Sequence, residues 1–141
     1  MKIFTLLSFV VVLFGCASAP KNSLVGKWKS HEEKTLDSVR NTPGVTEKAM
    51  HLFEHDFFGK LINEYSKTTS KTYYENPADN IEGFNVPESY KILEETESYY
   101  LLTNKVTELT PNKTVKLYKD GNCYYVFVSR WNFKEYFCRI E

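Results

Sequence analysis

From residue 24 to residue 30 apolar and polar side chains alternate: Leu24, Gly26 and Trp28 fall on one side of an extended chain, Lys27 and Lys29 on the other. That two-residue period predicts a half-buried strand. The period then lengthens. Ala49, Met50, Leu52, Phe53 and Phe57 share one broad face of a helix predicted over 46–58, with Thr46 as N-cap, Glu47 in the first turn and Gly59 as the stop. Residues 31–40 carry a weaker helical signal. From residue 60 onward the chain reads as strands at 60–67, 71–75, 89–96, 99–106, 114–119, 122–129 and 132–140, rich in Tyr, Val, Ile, Leu, Phe and Thr. A long loop at 77–87, a Pro111-Asn112 turn and an Asp120-Gly121 hairpin signal punctuate them.

Eight successive strands with no second helical layer predict an eight-stranded antiparallel up-and-down barrel, with one short helix between strands 1 and 2, because closure removes exposed sheet edges. The alternative is an α+β fold, an open curved sheet with the helix on one face. Neighbours on a strand point to opposite faces, so each of the pairs Tyr73-Tyr74, Tyr99-Tyr100 and Tyr124-Tyr125 sends one ring inward.

Pairing 122–129 with 132–140 around Arg130 and Trp131 sets Cys123 opposite Cys138, a spacing that permits a cross-strand disulfide. Tyr124, Val126, Val128, Phe133, Phe137 and Arg139 then share the other face, assigned to the interior. Glu135 falls on it too, and Asn63 lies between Leu61 and Tyr65 on the inner face of its own strand. A buried carboxylate is costly unless paired, so Glu135 is expected to meet Arg139, a tyrosine hydroxyl or a ligand headgroup.

The start of the chain is different in kind. Lys2 is the only charge before Cys16, and residues 3–15 are apolar except for Thr5 and Ser8, the pattern of an export signal. The run is shorter than the roughly 20 apolar residues that span a bilayer. Leu13-Phe14-Gly15-Cys16 resembles the lipobox of bacterial lipoproteins. The resemblance implies a signal peptide over 1–15, an acylated Cys16 at the mature N-terminus, a lipidated tether over 16–23 and a β domain over 24–141. Each buried methylene contributes about 0.8 kcal/mol, so several acyl chains hold a protein on a membrane. Ala17 rather than Asp after the cysteine resembles lipoproteins of the outer membrane, which implies a domain facing the periplasm. The competing reading is an ordinary secretory signal cleaved after the Ala17-Ser18-Ala19 stretch. In an exported protein Cys123 and Cys138 are a pair in a compartment where disulfides persist.

At 141 residues the chain holds one domain with a modest core. Its 18 basic and 18 acidic side chains become 17 and 18 once Lys2 is removed, so no long-range field favours nucleic acid.

A glycine two residues before a tryptophan at the start of a domain, Gly26 and Trp28, resembles the first-strand signature of the lipocalins; the likeness covers residues 24–30 and the strand count. In lipocalins a last-strand arginine packs over that tryptophan, and Arg139 is similar in placement, with Arg130 as the rival. The resemblance implies barrel closure through Gly26, Trp28 and Arg139. It also implies a small apolar or amphipathic ligand, for which Trp28, Asn63, Tyr65, Tyr74, Tyr124, Val126 and Phe137 are candidate contacts. An eight-stranded barrel is just wide enough to hold one small ligand or be filled by side chains. The second reading is therefore a filled barrel that acts as an interaction, assembly or inhibitor module on an envelope protein, through loops such as 76–88.

Catalytic chemistry finds little footing. His51-Leu52-Phe53-Glu54-His55 matches the H-x-x-E-H string of some zinc peptidases. Both histidines fall on the polar helix face with Glu47, Lys48 and Glu54, and no second helix offers another carboxylate, so a solvated face is expected rather than a metal site. No G-x-S-x-G string, glycine-rich phosphate loop or Cys-His pairing occurs. The expectation is a non-enzymatic protein without cofactor.

Overall fold

The computed structural model describes residues 23–55, 57–103 and 113–141. The export segment, Cys16, the tether as far as residue 22, the end of the strand predicted over 99–106 and the Pro111-Asn112 turn lie outside the described residues.

The strands are β1 (Gly26–Ser30), β2 (Leu61–Tyr65), β3 (Thr69–Tyr74), β4 (Glu88–Ser89), β5 (Ile92–Glu95), β6 (Tyr99–Thr103), β7 (Thr114–Asp120), β8 (Cys123–Val128) and β9 (Phe133–Arg139). All pair antiparallel in one sheet of order β4-β3-β2-β1-β9-β8-β7-β6-β5. The sheet curls into an open half-barrel of nine strands, not the eight-stranded barrel predicted. The extra strand arises because the stretch predicted over 89–96 divides at Tyr90 and Lys91. The Tyr90 N–H donates to the Thr68 carbonyl beside β3 (3.0 Å), whereas the Lys91 carbonyl accepts from the Thr103 N–H of β6 (2.9 Å). One run of chain thus supplies both outer strands, β4 against β3 and β5 against β6.

The first and last strands do pair, with Trp28 opposite Arg139 and Ser30 opposite Phe137. The final hairpin has the predicted register, Cys123 opposite Cys138, and the two form a disulfide.

Two helices, not one, separate β1 from β2: α1 (Glu32–Arg40) and α2 (Glu47–Glu54). The need for α1 follows from strand lengths. β1 ends at Ser30 opposite Phe137, but β9 begins four residues earlier at Phe133, which leaves a stretch of β9 without a neighbouring strand. α1 lies along that stretch and supplies acceptors from its side chains. Thr35 Oγ1 accepts from the Tyr136 N–H (3.0 Å) and Ser38 Oγ from the Lys134 N–H (2.8 Å), while the His31 N–H donates to the Tyr136 carbonyl (2.8 Å). Thr35 and Ser38 are three apart and so share one helix face.

α2 starts as predicted, with Thr46 Oγ1 accepting from the Ala49 N–H at 3.3 Å, but ends at Glu54 rather than 58. Phe57 therefore leaves the helical period, and the expected apolar face is only partly covered. Phe53 is buried, while Leu52 and Phe57 stay 57% and 52% exposed.

Two cores result. Leu24, Trp28, Tyr100, Leu117, Tyr124 and Phe137 fill the concave side of the sheet. Leu36, Val39, Phe53, Phe58 and Phe133 pack between the helices and the β8–β9 end, drawing in Val128 and Trp131. Val128 and Phe133, assigned by alternation to the barrel interior, do face inward but belong to this second core.

Candidate functional site

Strand register brings most of the sequence-derived candidates together. Trp28, Tyr124 and Phe137 are in one cluster, against which Tyr65 and Val126 pack. The Tyr124 ring stacks on Phe137 (centroids 5.4 Å, 20°) and tilts against Trp28 (5.1 Å). With Trp28, Tyr124 and Phe137 only 5%, 1% and 3% exposed, these rings are packing, not pocket wall.

Asn63 joins the cluster through polar atoms. Thr72 Oγ1 donates to Asn63 Oδ1 (2.7 Å), and Asn63 Nδ2 donates to the Tyr124 hydroxyl (2.9 Å). Each buried polar group in that chain has a partner, which is what makes a polar thread in an apolar core tolerable. Burial pushes the Tyr65 phenol up to about 12 and raises Tyr124 well above its ordinary value, so both hydroxyls stay protonated at neutral pH. Tyr74 stands apart: its ring stacks on Phe84 (5.4 Å, 20°) and its N–H donates to Asn80 Oδ1 (2.8 Å). The same loop reaches back through the Asn85 N–H to the Thr72 carbonyl (2.8 Å), covering the free edge of β3.

Arg139 does not pair with Glu135. Its guanidinium lies 4.4 Å over the Trp28 ring and donates to the backbone carbonyls of Val25 (2.9 Å), Glu141 (3.3 Å) and Ser23. The Trp28 indole N–H in turn donates to the Leu24 carbonyl (2.8 Å). Arg139 thereby ties the entry of β1 to the exit of β9. Gly26 is required beneath it: a Cβ there would stand 2.5 Å from Arg139 Nη1 and from the Glu141 carbonyl, at a φ of +141°. Arg130, the rival, sits instead over Trp131 at 4.8 Å.

Glu135, opposite Val126, faces inward as the alternation requires. Burial alone acts on its carboxyl, raising its pKa from 4.5 to about 7. The expected partner, Arg139 or a tyrosine hydroxyl, is not there.

An opening remains at the mouth of the half-barrel, a cavity of about 230 Å³ walled by Tyr65, Phe84, Tyr90, Leu102 and Val115 together with the polar and charged Ser70, Lys71, Thr72, Glu88 and Thr103. Tyr65 is the one sequence-derived ligand candidate that lines it. Ser70 and Thr72 were within reach of sequence reasoning, because they alternate with Tyr74 on β3. Phe84 was not, because it sits in the loop predicted over 77–87; Tyr90 fell within the strand predicted over 89–96, and only the division of that stretch turns it to the cavity.

At the other end His51 and His55 stack (centroids 4.2 Å, 18°) on the exposed side of α2, and Arg40 holds Glu54 at 3.1 Å. Among the described residues no three His, Cys, Asp or Glu side chains converge as a metal site, and no helix is long and apolar enough to cross a membrane. Comparison with known protein families, curated proteins and solved structures finds no match for the chain.

Proposed function

We propose that the protein is a non-enzymatic envelope lipoprotein, acylated at Cys16 and held on the outer membrane, whose lipocalin-like half-barrel binds a small amphipathic molecule at its mouth. The observation that carries the binding reading is the cavity of about 230 Å³, in which Tyr65, Phe84, Tyr90, Leu102 and Val115 share the wall with the polar and charged side chains of Ser70, Lys71, Thr72, Glu88 and Thr103. A concavity that sets charged and hydroxyl groups beside aromatic rings suits a ligand with one polar and one apolar part. Its volume lies below the roughly 300 Å³ at which drug-sized sites begin, so the ligand is small or enters by one end only. Supporting the location are the export-like run over residues 3–15, Gly15 before Cys16, and the Cys123–Cys138 disulfide, which suits an oxidising compartment.

The tight packing of Trp28, Tyr124 and Phe137 favours a second reading, a filled half-barrel that works through its surface on an envelope protein. Native mass spectrometry of protein purified from its own envelope separates the two. A co-purifying small-molecule mass that disappears in a Ser70→Phe variant supports the ligand reading; a stoichiometric protein instead supports the second. For the anchor, Cys16→Ala is expected to release the protein into the soluble periplasmic fraction, and full retention on membranes would end the lipoprotein assignment.

A further inference from the structure

A second concavity lies at the helical end of the sheet, outside the half-barrel. α2 and the turn carrying Arg130 and Trp131 enclose a groove of about 560 Å³, within the roughly 300–1,000 Å³ of small-molecule sites. Its floor is apolar. Ala49, Leu52, Phe53 and Trp131 line it, and the Trp131 ring meets Phe53 edge-on at 5.3 Å. Leu52 is 57% exposed there, and Phe57, which stands edge-on to Phe53 at 5.3 Å, is 52% exposed. Exposed apolar side chains gathered around a concavity mark a binding surface, whereas single scattered ones do not.

The rim is cationic. Among the described residues Lys48 and Arg130 line the groove and no Asp or Glu does. Glu54, the acid that closes α2, is occupied by Arg40 at 3.1 Å. The Arg130 guanidinium rests 4.8 Å above the Trp131 ring, which fixes its plane next to the apolar floor and leaves its edge N–H groups for an anion. An apolar trough with fixed positive charge at its rim complements a molecule with a long apolar tail and an anionic head. A cationic or purely polar ligand would satisfy only one half of it.

We propose that this groove binds a long-chain carboxylate, the acyl chain lying along Leu52, Phe53 and Trp131 and the carboxylate meeting Arg130 with Lys48 beside it. The site is separate from the mouth cavity and does not rest on it.

The test uses the full chain carrying Cys16→Ala, titrated with laurate, dodecanol or dodecyltrimethylammonium below their micellar concentrations and followed by tryptophan fluorescence and calorimetry. Laurate is expected to bind saturably, dodecanol about tenfold more weakly and the cation not at all, since a charge-assisted pair is worth at least one factor of ten. Arg130→Gln should bring laurate down to the dodecanol level. Leu52→Asp should abolish binding with an unchanged Tm, because Leu52 is exposed. Ser70→Phe, which fills the mouth cavity, should leave laurate affinity unchanged; if it removes laurate binding, the ligand sits in the half-barrel and the groove proposal falls while the mouth proposal stands. Equal binding of the cation, no saturable laurate binding, or binding only to phosphatidylglycerol vesicles would each overturn the inference.

Discussion

Thr35 is 0% exposed, and its hydroxyl stands where a neighbouring strand's carbonyl would otherwise complete β9. Replacing it with valine keeps the branched shape and removes the hydroxyl, so the Tyr136 N–H, bonded at 3.0 Å in the native protein, loses its acceptor. A buried amide left unsatisfied costs about 1–3 kcal/mol. For a domain of this size 1 kcal/mol corresponds to roughly 4 °C in Tm, which gives an expected fall of about 4–12 °C in Thr35→Val. Thr35→Ser keeps the acceptor and loses one methyl, a change of about 0.8 kcal/mol by burial, and should be the milder variant. Ser38→Ala removes the companion bond to the Lys134 N–H; since both hydroxyls bind one strand from one helix face, the double variant should depart from additivity. Chemical denaturation gives the free energies, and amide hydrogen exchange at Tyr136 gives a local reading, expected to quicken in Thr35→Val and not in Thr35→Ser. If Thr35→Val is as stable as the native protein while Thr35→Ser is not, α1 is held by methyl packing and its role as a stand-in strand is refuted.

Glu135 should make stability fall as pH rises. Its folded pKa, about 7 against an ordinary 4.5, means that the folded state holds the proton more tightly. Stability is therefore greatest below pH 4.5, declines as pH rises towards 7 and levels off above it, by up to about 3 kcal/mol. Glu135→Gln should flatten that profile and exceed the native protein at pH 8; denaturant titrations from pH 4 to 8.5 that leave the two curves parallel would count against a half-buried carboxylate held without a cation. Reducing Cys123–Cys138, whose residues lie 15 apart in sequence, should cost about 3 kcal/mol, read as a lower denaturant midpoint in the presence of reductant. Gly26→Ala should displace Arg139 from Trp28 and lower stability by about 1–3 kcal/mol, with altered tryptophan fluorescence; unchanged emission and Tm would remove Gly26 from the closure.

Legibility followed the range over which each signal acts. The final hairpin was readable, because two Cys positions and strict alternation fix register once the turn is placed, and a one-residue slip would reverse every side chain. The facing of Glu135 followed from the same rule, but its lack of a partner did not. Arg139 had several anions and carbonyls to choose from, and the backbone of residues 23–25 reached it first. α1 gave a weak signal because its decisive residues, Thr35 and Ser38, are ordinary helix positions whose hydroxyls matter only opposite an unfinished strand. The mouth cavity was largely hidden for the same reason. Phe84 enters it from the long loop and Tyr90 from the point where the stretch predicted over 89–96 divides, and neighbours brought together across a loop leave no spacing to read.

By itself the sequence determined most of the strand content, the strand that carries Trp28, the inward face of β9 and the partner of each late cysteine. These depend on local alternation and turn chemistry, which act within a few residues. The tertiary structure alone decided that the sheet stays open, that one run of chain supplies both of its edges, that two helices finish what β1 leaves short, and that the interior rings pack against each other. Those outcomes depend on strand lengths and edge hydrogen bonds balanced across the whole sheet, and no single segment carries that balance.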